Sequence, residues 1–151
     1  MTDPNARRTT YSFAPPVDNA TAWDIDLDDF ANRLMQAFPG TEIEPVGALG
    51  PQQANSLSFD MPLGGGSRLE GLVSAPYPNV GSVMALDAAA PEAAVLARFL
   101  RDHYAPTPDL VHFTSEMALE IGVTDYAQIP PDGGLEEITS VLQAHIDEMD
   151  A

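Results

Sequence analysis

The spacing of apolar positions along the chain changes twice, and each change marks a different kind of element. Between Leu27 and Phe38 the apolar residues recur every three or four positions, which is the spacing of one helix face. Asp26 stands before this stripe as a helix N-cap, and Pro39 follows it as a stop signal. The spacing therefore predicts a first helix over residues 27–38.

From residue 41 to 87 the period is two. Leu57, Phe59 and Met61 alternate with small polar residues, which is the pattern of a half-buried strand. The glycine-rich segment 63–67 predicts a hairpin turn after this strand, and Pro45 places the segment around it at a sheet edge. The pattern predicts a meander of up to four strands over residues 41–48, 56–61, 68–75 and 80–86.

Helical spacing returns after Pro91, which suits the first turn of a helix. A short apolar strand is expected over 110–113, followed by a single helical segment that Thr114 or Ser115 would cap. A last helix follows the turn at 130–134, with apolar residues three and four positions apart from Leu135 to Met149.

Strands grouped in the middle of the chain with helices around them predict an α+β fold. We expect an antiparallel meander of three to five strands with helices packed mainly on one face. Residues 1–20 contain three prolines and no clear period, which predicts a flexible N-terminal tail attached at its end by Tyr11 and Phe13. Residues 21–151 are expected to form a single α+β domain, because domains usually have about 100–150 residues.

Charge restricts the possible partners. The formal net charge is −17, and residues 102–151 contain 11 acids and no Arg or Lys. Nucleic acids and anionic membranes attract Lys and Arg, so neither is expected to bind this chain. An acidic surface instead accelerates encounter with a basic protein partner. High negative charge also keeps a protein in solution, and this simpler explanation stays open.

Composition excludes several kinds of chemistry. The chain has no cysteine, so disulfides, thiol catalysis and thiolate metal sites are excluded. No apolar run approaches the roughly 20 residues of a membrane helix, and the N-terminus lacks the apolar core of a secretory signal. We therefore expect a cytoplasmic location.

Motifs for metal or cofactor binding are not found. A calcium loop beginning at Asp24 would need glycine at its sixth position and glutamate at its twelfth, where the chain has Asp29 and Met35. The three histidines form no metal-binding spacing on a helix. The sequence predicts no catalytic residue, no metal site and no cofactor.

The predicted partner-binding residues are aromatic anchors and acids, because aromatic side chains dominate binding hot spots and acids guide a basic partner. They are Trp23, Tyr77, Tyr104, Glu116, Glu120, Asp125, Tyr126, Glu136 and Glu137. Trp23 has an alternative interpretation, as an apolar residue that packs against the start of the first helix.

In outline, a small acidic chain without cysteine and with a central meander flanked by helices is similar to bacterial immunity proteins and to small secretion chaperones. That resemblance implies a non-enzymatic protein that captures one basic partner, to neutralise or to escort it. Two alternatives stay open. One is a small-molecule- or metal-using enzyme with a cleft near His112 and Glu116. The other is a homodimeric regulatory protein that pairs through its last helix or the Pro45 edge strand.

Overall fold

The structure, a computed structural model, describes residues 8–46, 56–77 and 80–149. Within these ranges the strands are β1 (Thr9–Ala14), β2 (Glu42–Val46), β3 (Ser56–Gly64), β4 (Ser67–Tyr77), β5 (Val80–Ala88), β6 (His112–Ser115) and β7 (Ala127–Gln128). The α-helices are α1 (Leu27–Ala37), α2 (Ala90–Phe99), α3 (Glu116–Glu120) and α4 (Leu135–Met149).

All seven strands form one antiparallel sheet in the order β2-β3-β4-β5-β1-β6-β7. The α+β class is therefore confirmed, with more strands than the expected three to five. The four-strand meander is also present, and β2 lies at the sheet edge as Pro45 indicated. Gly65 and Gly66, at the tip of the β3–β4 hairpin, have φ angles of +60° and +85°, which glycine adopts without strain.

The expected N-terminal tail requires a correction for Thr9–Ala14. This segment is β1, an interior strand that pairs with β5 on one side and β6 on the other. Tyr11 and Phe13 point to the same face of the sheet and are fully buried, whereas Ser12 between them is half-buried. The alternation is present in the sequence, but the six residues before Pro15 gave too short a pattern to distinguish an interior strand from a tail.

The core lies between one face of the sheet and the helices. Buried residues of α1, α2 and α4 join the core-facing residues of the central strands in a single apolar cluster. Asp26 caps α1 by accepting a hydrogen bond from the Asp29 N–H at 3.0 Å, as the sequence predicted. In α4 the fully buried positions are Ile138, Leu142 and Ile146, and the helix packs against α2 of its own chain.

A buried arginine connects the end of α2 to the start of α4. Just beyond α2 the chain makes a wider helical turn over Leu100–Tyr104, which contains Arg101, only 6% exposed. Its guanidinium donates to the Asp102 carboxylate and to the carbonyls of Pro130, Asp132 and Gly133. The hydrogen bond from Arg101 holds the pKa of Asp102 below its usual value. The predicted turn at 130–134 is thus fixed by a charge from elsewhere in the chain.

None of the helices in the described ranges has the length and apolar character needed to cross a membrane.

Replacing Phe13 should show whether β1 belongs to the core. We expect Phe13→Ala to lower the free energy of unfolding by about 3–5 kcal/mol, because it leaves a cavity between the sheet and the helices. Urea denaturation followed by circular dichroism measures this change. The control Val17→Ala, at a position 79% exposed, should change it by less than about 0.5 kcal/mol. Equal effects of the two substitutions would contradict the interior position of β1.

Two arginines that pair with the same carboxylate provide a second comparison. Arg101 and Arg98 both contact Asp102, but the Arg98 side chain is 51% exposed. We expect Arg101→Met to lower the free energy of unfolding by about 3 kcal/mol, since it leaves three carbonyls without their donor and leaves Asp102 with only the exposed Arg98. Arg98→Met should cost less than about 1 kcal/mol, as exposed ion pairs do. Chemical denaturation of both variants tests the difference.

Candidate functional site

The sheet has one face covered by helices and one face that α1, α2 and α4 leave uncovered. Strand register defines the uncovered side, because side chains alternate between the two faces. A row on this side crosses six neighbouring strands and consists of Glu44, Ser58, Leu72, Met84, Ser12 and Thr114. The last of these, Thr114 on β6, is only 1% exposed, so the uncovered part of the row ends at Ser12 on β1. We call this side of the sheet, formed by that row and the side chains two positions along each strand, the open face.

The centre of the open face is apolar. Leu72 and Met84 lie side by side on β4 and β5, and Leu86 follows Met84 on the same side of β5. All three side chains are half-buried, in contrast to the fully buried Val73, Val83 and Ala85 on the core side. Three partly exposed apolar side chains on adjacent strands provide a surface that another molecule can cover.

Carboxylates gather at one end of the open face. Glu42 on β2, Asp60 on β3 and Glu70 on β4 are aligned across the strands, and Glu44 belongs to the neighbouring row. We call these four residues the acidic end. They line one concavity of about 310 Å³ together with Ser58 and Leu86. Gly71, between Glu70 and Leu72, contributes backbone to this concavity, and a side chain there would point to the core and overlap the Phe59 ring.

One base accompanies these four acids. Arg68, on the same side of β4, donates to the carboxylate and to the backbone carbonyl of Asp60 and also to the carbonyl of Gly40. Glu42, Glu44 and Glu70 are exposed, and no base that the structure describes forms a salt bridge with them. The acidic end therefore retains a net negative charge beside the apolar centre.

One predicted aromatic anchor is accessible. Tyr126 immediately precedes β7, the edge strand in which Ala127 pairs with Phe113 and Gln128 with His112. Its side chain is 37% exposed, and it lies at the other edge of the sheet from the acids of β2.

Two other predicted anchors are part of the core. Trp23 is 4% exposed, and its indole N–H donates to the Leu110 carbonyl at 2.7 Å. Tyr104 is 5% exposed and packs edge-to-face against Trp23 and Phe30, with ring centroids 6.2 and 5.2 Å away. In this conformation neither ring can reach a partner, and the alternative interpretation of Trp23 as a packing residue describes its position. Tyr77 ends β4, and its side chain lies outside the described part of the chain.

The predicted acids are all exposed but lie on separate elements. Glu116 and Glu120 on α3 line a concavity together with Arg8 and Asp87. Asp125 lies in the loop before β7, and the remaining two acids are in the first turn of α4.

One of the α4 acids has a structural role at the start of that helix. Glu137 accepts a hydrogen bond from the Gly134 N–H at 2.8 Å, which lowers the pKa of its carboxyl.

The residues of the hypothetical enzymatic cleft are apart. His112 lies at the start of β6 and is half-buried on the open face, whereas Glu116 follows the end of that strand. The Cα atoms of His112 and Glu116 are about 13 Å apart, because an extended chain rises about 3.3 Å per residue over the four positions between them. His112 is not among the residues that line the concavity beside Glu116. Within the described ranges, no three His, Asp or Glu side chains are placed to hold a metal ion.

A serine–histidine pair, which the sequence analysis did not anticipate, joins β6 to α4. Ser115 Oγ and His145 Nε2 are 2.8 Å apart, and the Phe113 ring packs edge-on against the imidazole at 5.0 Å. Ser115 is fully buried and accepts a hydrogen bond from the Ala118 N–H as the N-cap of α3. An oxygen that is enclosed and engaged in this way cannot reach a substrate, so the pair connects two elements.

The sequence analysis missed the acidic end. The available signal was the alternation of Glu42 with Ile43 and of Asp60 with Phe59, which places both acids opposite the core. Strand pairing, which brings acids from three strands to one place, could not be read from that alternation.

Comparisons of the chain with protein-family models, with curated proteins and with solved structures find no match. No relative therefore contributes to the assignment of a function.

The His145 contact predicts a dependence of stability on pH. Burial lowers the pKa of His145, with Glu148 partly opposing the shift, so the folded protein holds this proton less tightly than the unfolded chain. The free energy of unfolding should therefore fall as pH decreases below about 6.5, the ordinary pKa of histidine. The pKa values of Asp102 and Glu137 are also lowered in the folded protein. Their protonation therefore also lowers the free energy of unfolding, but only at pH values near 4 and below.

Urea denaturation between pH 7.5 and 5.5 measures this effect. His145→Gln should remove most of the pH dependence in that window, whereas the control His112→Gln should retain it. If the free energy of unfolding changes with pH equally in both variants and in the unchanged protein, His145 is not the source of the pH dependence.

Proposed function

We propose that this protein is a non-enzymatic binding protein that captures a basic protein partner on the open face of its sheet. The observation that carries the proposal is the position of four carboxylates beside the half-buried Leu72, Met84 and Leu86. Apolar side chains at the centre of an interface supply binding free energy, and charges at its rim set the rate of encounter and the choice of partner.

The overall charge supports a basic partner. With 23 acids against 6 bases, the chain repels other acidic molecules and attracts basic ones over a distance of about one Debye length, 8 Å at physiological salt. The acidic end concentrates this field next to the apolar centre. Because the same field repels a second copy of this chain, we favour a different protein as the partner over a homodimer formed through this face.

The enzymatic alternative receives less support from the geometry. An enzyme needs polar groups that converge on one enclosed site. His112 lies at the start of β6 and Glu116 at the start of α3, and the Ser115–His145 pair is enclosed. The acids predicted from the sequence stay a second candidate for the surface that attracts the partner. They are Glu116, Glu120, Asp125, Glu136 and Glu137. The control variant described below distinguishes their effect on the association rate from that of the acidic end.

Photo-crosslinking from defined positions tests the proposal. A photoreactive amino acid at Ser58, on the open face, should crosslink one basic protein in a lysate of the host at low salt. The same amino acid at Ala144, an exposed position on α4, should not. Crosslinking of many proteins, or equal crosslinking from both positions, would contradict specific capture on the open face.

Charge neutralisation then tests the acidic end against that purified protein. The triple variant Glu42→Gln, Glu44→Gln, Glu70→Gln should slow association about tenfold at low salt and weaken its dependence on salt. The matched control is Glu120→Gln, Asp125→Asn, Glu136→Gln, which removes the same charge from exposed positions on α3, in the loop before β7 and on α4. Stopped-flow fluorescence measures both rates. A larger effect of the control would assign the steering to acids outside the open face.

A further inference from the structure

We infer that the segment of the partner that covers the open face is an amphipathic α-helix whose basic residues are concentrated at the end that lies over Glu42, Glu44 and Glu70. This inference rests on the proposed function, because it describes the form of the molecule that the open face captures. It follows from three features of the sheet: its engaged backbone, its unfavourable edges and the unequal ends of its open face.

The backbone of the sheet interior is already engaged. The five interior strands, β3, β4, β5, β1 and β6, each pair with a neighbour on both sides. Their N–H and C=O groups therefore point along the sheet and not out of the face. A segment that covers Leu72 and Met84 meets side chains, mostly apolar groups and serine hydroxyls. Its own backbone polar groups lose water there and must be satisfied within the segment. An α-helix satisfies them internally, whereas a single extended strand does not.

An extended partner would need a sheet edge, and both edges discourage it. β2 contains Pro45, which has no N–H to donate, and it has charged residues at 42 and 44. β7, at the other edge, has only two residues. The accessible area of this sheet is therefore its open face, where strand addition cannot take place.

The ends of the open face differ in chemistry, and this fixes the polarity of the helix. Neighbouring strands lie about 4.8 Å apart, so the uncovered part of the row, from β2 to β1, is about 19 Å long. A helix of about 13 residues has this length. Its basic end matches the acidic end of the sheet, its apolar stripe matches Leu72 and Met84, and its far end lies over Ser12, where the face carries no acid.

The experiment uses a designed probe and the full chain. The probe is a 14-residue peptide with a leucine stripe and four arginines in its first two turns, held helical by a hydrocarbon crosslink. Its control has the same residues with alternating D and L chirality, which prevents a helix. We expect the helical peptide to bind at least tenfold more tightly, and the Glu42→Gln, Glu44→Gln, Glu70→Gln variant to lose most of that advantage. Fluorescence anisotropy at low salt measures both affinities.

Paramagnetic labels then determine the orientation. A nitroxide at the arginine end should broaden the backbone amide signals of Glu42–Val46 most strongly, and a nitroxide at the other end should broaden those of Ser12 and Phe13 most strongly. Reversed broadening would overturn the polarity. Equal binding of both peptides to the open face would overturn the helical form but leave the proposed function standing. Failure of both peptides to perturb the open face would count against helix capture, whereas the proposed function would fail separately if crosslinking from Ser58 finds no basic protein.

Discussion

The pairing of Thr9–Ala14 on both of its sides holds the sheet together. The meander of β2 to β5 and the short pair of β6 and β7 are joined through β1, because in the sheet order it is the one strand between them. Its side chains also connect the two layers, since Tyr11 and Phe13 enter the core on the helical side. The loss of this strand would expose the inner edges of β5 and β6 and divide the core.

The second layer is fastened by a few polar contacts within an otherwise apolar core. Ser115, on the strand paired with β1, binds His145 of α4, and Arg101 holds the turn that begins that helix. Both contacts join residues about 30 positions apart in sequence, so they form only when β6, α2 and α4 have come together. In a low-dielectric interior such contacts are costly to leave incomplete, which favours one arrangement of α4 over others.

Placement of the helices on one side gives the molecule two different sheet faces. Residues that alternate with the core are free to serve another purpose, and in this chain they are serines, three aliphatic side chains and a group of carboxylates. An antiparallel sheet tolerates a solvated face, so the fold does not require these particular residues there. The concentration of charge at one end, beside the partly exposed Leu72, Met84 and Leu86, is what makes the open face a candidate interface.

Local pattern was sufficient for most elements. The stripe from Leu27, the alternation around Phe59 and the apolar spacing of the last helix each reflect a period that the backbone imposes on any buried face, so the sequence alone determined α1, the β3–β4 hairpin, α4 and the α+β class. It also determined the formal net charge of −17. Only the tertiary structure decided that Thr9–Ala14 is an interior strand, that Trp23 and Tyr104 are buried, and that acids from three strands lie together. These outcomes depend on which strands become neighbours, and that pairing joins residues far apart in sequence through contacts that no local period encodes.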